Sequence, residues 1–193
     1  MLTVEMKGMT KRSEANFRQV LILLLFAIAG SALMAANMRS FIEAVRRKAA
    51  VVYVGSVKEV QVLARTKFDL KMRAVVEVLT VARGPEKSSR EATFEYSSYD
   101  ERTPMLAGGP QYQLRPGDNV VVFADSFAST IRPGYLLQGR REELLQRITA
   151  LRDGLSHMSP EQLKTNEINE EDRRIQLELY DKLGAWLRAK EGL

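Results

Sequence analysis

The chain holds one histidine and no cysteine, and those two counts remove much of the chemistry that side chains can perform. Without cysteine there is no disulfide, no thiolate metal site, no thiol nucleophile and no lipid-bearing cysteine. His157 stands in "DGLSHMSP", between two expected helices and without a second histidine to share a metal, so a surface position is expected for it. Glu170, Glu171 and Asp172 are the densest carboxylate group. Successive helix positions do not face a common point, so these three are expected to solvate a helix. "AGGP" at 107–110 is not a phosphate loop, because no Lys-Ser or Lys-Thr follows it. Neither G-x-S-x-G nor H-E-x-x-H occurs. Acid–base and nucleophilic catalysis need a poised group. No catalytic, cofactor-binding or metal-ligating residue is therefore assigned, no cofactor is expected, and the chain is read as no enzyme.

Charge narrows the partners. The formal net charge is +5, and the first 36 residues carry Lys7, Lys11, Arg12 and Arg18 against Glu5 and Glu14, so residues 37–193 hold +3. That is a mildly basic body, better read as solvated surface than as a nucleic-acid footprint. Lys67, Lys71 and Arg73 line one face of an expected strand, yet that face has no aromatic on which a base could stack. Nucleic acid is not an expected partner.

The run from Val20 to Ala36 is apolar or small throughout. Such a run is either a signal-peptide core with its cleavage region or a membrane anchor near the lower limit of about 17 residues. Basic residues flank it on both sides, so charge does not orient it. Met9 opens a more usual signal-peptide head than Met1 does, and "AGSALMAAN" offers small residues to a peptidase. A mature chain from about Asn37, in the periplasm or outside the cell, is the first expectation. Membrane contact through residues 20–36 follows if they are retained.

The elements come next. Ser40 and Glu43 have capping-box spacing, which starts a helix at Phe41. Arg46, Arg47 and Lys48 near its end are expected to offset the helix dipole in solvent. "AVVYVGSVKEVQVL" is rich in β-branched residues and reads as a strand, with Gly55 marking a bulge or bend. From Lys67 to Leu79, Phe68, Leu70, Met72, Ala74, Val76 and Val78 alternate with polar residues, the mark of a long half-exposed strand. Ala92, Phe94 and Tyr96 alternate likewise. "SSYDERTPMLAGGPQYQ" is a loop, Pro116-Gly117-Asp118 a turn, Val120–Ala124 a buried strand and "YLLQG" a short last one. Val54, Val57, Phe68, Leu70, Val76, Phe94, Val121 and Phe123 are the expected interior. After Arg140 the period becomes helical. Leu144, Leu145, Ile148, Leu151 and Leu155 form one stripe; Ser159 starts a second helix; Ile175, Leu179, Leu183 and Leu187, flanked by Tyr180 and Trp186, form another stripe. The short link after Leu155 favours docking within the chain.

The order helix, "AAVVYVGSVKEV", "VVEVLTVARGPE", "TFEY", "LRPGDNVVVFAD", "GYLLQG" resembles the bacterial domains similar to tissue inhibitors of metalloproteinases, also called netrin-like, over about residues 40–139. The resemblance implies an OB-type five-stranded Greek-key barrel. Inhibitory members of that family place an amino-terminal cysteine on the protease zinc, and this chain has no cysteine to carry that role. The fold class expected is mainly β with added helices (α+β): residues 1–36 a signal peptide or anchor, 37–139 the barrel domain with its N-terminal helix, and 140–193 a C-terminal helical hairpin. The leading functional reading is an exported interaction domain that binds a protein partner through barrel loops and helices. The alternatives are an inhibitor of a secreted hydrolase or metalloproteinase by a cysteine-independent contact, and an unrecognised enzyme.

Overall fold

Val51–Arg65 (β1) is the spine around which the other elements are arranged. A computed structural model describes residues 42–67, 69–85, 90–100, 112–128, 130–131 and 134–189, all within one compact unit, Ile42–Leu193. The apolar run 20–36, the helix start at Phe41, its Ser40 cap, the 107–110 stretch and Phe68 lie outside the described residues. Among the described residues no helix is long and apolar enough to cross a membrane.

β1 pairs antiparallel with β2 (Leu70–Arg83), β2 with β3 (Glu91–Ser98), β1 also with β4 (Asn119–Ala124), and β4 with β5 (Leu136–Gly139). The resulting order is β3-β2-β1-β4-β5. The fold is thus a five-stranded antiparallel sheet with helices, an α+β architecture. Among the described residues no ladder closes β3 onto β5; a parallel bridge ahead of β5 joins Glu95 to Thr130, with Ile131 N–H donating to the Glu95 carbonyl at 2.7 Å.

The alternation in the sequence sets the faces. Leu70, Ala74 and Val76 of β2 and Ala92, Phe94 and Tyr96 of β3 are buried, while Lys71, Glu91 and Thr93 are exposed. Val120–Phe123 are wholly buried, as a strand covered on both faces requires. Each such side chain contributes about 1.5–3 kcal/mol by leaving water. Pro116 and Gly117 make a tight turn into β4: the Asp118 N–H donates to the Arg115 carbonyl at 3.0 Å, and Gly117 has φ +92°, the left-handed value a type II turn demands.

The β1–β2 ladder slips four times, skipping Lys58 and Leu63 on β1 and Leu79 and Ala82 on β2. Each extra residue bends its strand and increases the twist. One slip falls at Gly55, where a Cβ would meet Val76 Cγ1 at 2.3 Å and the Glu77 carbonyl oxygen at 2.8 Å. The bend marked by Gly55 is therefore a close backbone approach that admits no side chain.

Residues 42–47 form α1. α2 (Arg141–Ser156), α3 (Pro160–Thr165) and α4 (Glu170–Arg188) follow β5. Ser159 caps α3 by accepting from the Gln162 N–H, with Pro160 in its first turn. α2 and α4 pack together and share one cluster of buried residues with the sheet, to which Leu144, Ile148, Leu179 and Leu183 belong. Arginines tie both ends of the pair. Arg141 donates to the Leu187 carbonyl at 2.9 Å and the Trp186 carbonyl at 2.8 Å and lies over the Trp186 ring at 4.8 Å; Arg173 donates to the Ser156 carbonyl at 2.5 Å. Docking is thus within the chain. The buried stripe of α4 departs from expectation at one point: Ile175 is 42% exposed and Gln176 is buried in its place. Four-residue steps precess about 40° each on a helix of 3.6 residues per turn, so Ile175 falls off a face centred on Leu183.

Three buried tyrosines give the fold an alkaline limit. Burial raises the Tyr53 phenol, and pushes those of Tyr96 and Tyr180 up to about 12. Phenols in an unfolded chain ionise near 10. Between about pH 10 and 12 the unfolded state has lost protons that the folded state still holds. Stability is therefore complete below pH 10 and declines as pH rises through 12. In an alkaline titration, phenolate absorbance from these residues should appear together with loss of the far-ultraviolet dichroism. Ionisation near pH 10 with the fold intact would contradict their burial.

Candidate functional site

The residues singled out for chemistry do not converge. His157 ends α2, exposed, with Nδ1 2.8 Å from the Asp153 carbonyl. Glu170, Glu171 and Asp172 form the first turn of α4, where the helix dipole favours anions. Glu171 pairs with Arg174 at 2.7 Å and Glu170 with Arg173 at 3.5 Å. Arg73 faces Glu95 across the β2–β3 ladder, 2.9 Å away, which interrupts the basic row of Lys67, Lys71 and Arg73. Among the described residues no group of three histidines or carboxylates could hold a metal ion.

Two other features emerge from the packing. The first is an open strand edge. β4 accompanies β1 only from Val51 to Ser56, and the turn before β4 bonds Val57 through Gly117 and Asp118. β2 continues beside β1 as far as Arg65. From Lys58 to Ala64, β1 therefore has a strand on one side and none on the other among the described residues. This segment carries Val62, 58% exposed, and Leu63, 38% exposed. Leu63 is one of the bulge residues, so the irregular ladder itself turns an apolar side chain outward.

The second is a cavity of about 320 Å³ lined by α1, the segment before β4, β5 and α2. At its base is Arg46. The basic triplet was expected to sit in solvent, and Arg46 does not: it is buried. Its guanidinium lies over the Phe123 ring at 5.5 Å and its Nε donates to the Gly134 carbonyl at 2.8 Å. A planar, weakly hydrated cation can be buried on an aromatic face in this way. Burial lowers the Arg46 pKa, against the pull of Tyr180 and Glu43; a guanidinium nonetheless stays protonated. Arg47 donates to the Asn166 carbonyl at 3.1 Å, and Lys48 alone of the three is exposed. Gly134, at φ +85°, accepts this crowding because a Cβ there would meet Ile42 Cγ2 at 2.7 Å. Its N–H donates to the Tyr112 hydroxyl at 3.1 Å.

Tyr112 was placed in a long loop by the lack of period there, and Leu114 directly ahead of the turn, yet both are buried. The alternation of Tyr112 and Leu114 ahead of Pro116 is the one local sign of this. No local signal marks Arg46, Gln138 or Arg147 as neighbours of one cavity; they come from three separate elements. A scan of the chain against protein-family models found no match, and a search of curated proteins found no significant relative.

Proposed function

We propose that this chain is an exported, non-enzymatic interaction domain of the cell envelope or extracellular space, which takes an extended segment of a protein partner on the free edge of β1. The observation that carries the reading is the overhang of Lys58–Ala64 beyond β4, with Val62 and Leu63 in solvent. An unpaired edge offers a row of N–H and C=O groups to another chain, and strand addition uses those groups for affinity and flanking side chains for specificity. Charges stand at both ends of the overhang, Lys58 paired with Glu77 and Arg65 with Asp100, and leave the apolar Val62 and Leu63 between them.

We further read the sheet as an OB-type Greek-key barrel of the TIMP-like class. Two features support this. β4 returns after a long connection to lie beside β1, the 4-1-2-3 order of a Greek key. The Glu95–Thr130 bridge sits at the seam where such a barrel closes. Export rests on the apolar run 20–36 and its small-residue end.

The test is a pull-down from envelope extract with the full chain and with a Val62→Lys, Leu63→Lys double variant. Both sites are surface positions, so each change should alter stability by less than about 0.5 kcal/mol. Wild type should retain a protein that the variant loses. Retention of the same partner by both would sink the edge as the binding element. Stoichiometric recovery of a peptidase would favour the inhibitor reading.

A further inference from the structure

We propose that the cavity between α1, β5 and α2 is a binding site for a small carboxylate that carries a hydroxyl or amide N–H next to its acid group, clasped by Arg46 and Arg147. Both guanidiniums line the cavity, and among the described residues no carboxylate does. Arg46 uses its Nε on the Gly134 carbonyl, and neither Nη has a partner among the described residues. Arg147 makes no ion pair or side-chain hydrogen bond among the described residues. Arg147 adds to the positive charge felt at Arg46, Glu143 one turn before Arg147 offsets part of it without lining the cavity, and an anion from solution is favoured between the two guanidiniums. Glu43 tempers Arg46 from α1 but does not line the cavity.

The rest of the wall selects within the anions. A guanidinium matches a planar carboxylate with two parallel hydrogen bonds. Ile42 and Leu136 supply apolar wall for a short hydrocarbon body, which a compact, fully hydrated phosphate would leave unmatched. Gln138 donates its Nε2 to the Gln113 carbonyl at 3.2 Å, while its Oε1 is buried without a partner among the described residues. A buried acceptor left unpaired is costly, so a ligand that brings a donor beside its carboxylate is preferred. The volume of about 320 Å³ is room for about ten water-sized groups. A free hydroxy acid and the carboxyl-terminal residue of a peptide share this chemistry.

Titration calorimetry on the full chain distinguishes them. Lactate and N-acetylvaline are the probes, with propionate lacking the donor, N-acetylvalinamide lacking the charge, and inorganic phosphate as the rival anion. Lactate or N-acetylvaline should bind, propionate about tenfold more weakly than lactate, and N-acetylvalinamide not at all. Tighter N-acetylvaline assigns the site to a peptide terminus; tighter lactate assigns it to a free hydroxy acid. Arg147 is exposed, so Arg147→Ala should keep the melting temperature and weaken binding at least tenfold. The Val62→Lys, Leu63→Lys variant should bind as wild type does, which separates this site from the β1 edge. No heat from either probe, phosphate binding as tightly, or an unchanged affinity in Arg147→Ala would overturn the assignment.

Discussion

Replacing Phe123 with alanine is expected to lower the stability of the domain by about 3–5 kcal/mol. Phe123 is fully buried on β4, beside Val52 of β1. Its removal leaves a hole in the middle of the sheet core. It also takes away the ring on which the Arg46 guanidinium lies, so a buried cation keeps the Gly134 carbonyl and loses its platform. Stability of an ordinary domain is about 5–15 kcal/mol, so this single change brings the chain close to the unfolding threshold. Phe123→Leu keeps most of the volume and should cost less than the alanine change. Urea unfolding followed by far-ultraviolet dichroism measures both. A loss below about 1 kcal/mol in the alanine variant would mean that β4 is not the centre of the core.

Leu183→Ala is expected to cost about 2–5 kcal/mol and to do so in one transition for the whole described unit. Leu183 is fully buried on α4, and it belongs to the same cluster as the strand residues. The helices after Gly139 therefore complete the core rather than lean on a finished one. Trp186 reports on them directly, since it is half-buried and faces Arg141 of α2. Its fluorescence and the dichroism of the strands should change at the same urea concentration, and dilution should leave the emission unmoved. Ile175→Ala, at a position 42% exposed, should change stability by less than about 0.5 kcal/mol. Earlier loss of the Trp186 signal would make residues 140–193 a separately melting module.

What was legible in the sequence is what neighbours along the chain decide. Period-two alternation placed the faces of β2 and β3, because successive side chains of a strand point to opposite sides. The Pro116-Gly117-Asp118 turn and the Ser159 cap were legible for the same reason: their hydrogen bonds close within three residues. The bend at Gly55 was legible as a bend, though its cause, the approach of Val76 and Glu77, comes from another strand. Tertiary structure decided the rest. Helix geometry takes Ile175 off the buried face of α4, but what allows the polar Gln176 to be buried there is Arg83, which arrives from β2 and donates to its side-chain oxygen at 3.2 Å. Arg46 left solvent because Gly134, 88 positions away, supplies a carbonyl and Phe123 supplies a ring. Among the described residues the edge of β1 is open because β4 is shorter than β2, a length difference visible in the sequence whose consequence depends on which strands pair. Periodicity records whether a position is apolar; whether a charge can be buried, or an edge left bare, depends on partners brought together only when the chain has folded.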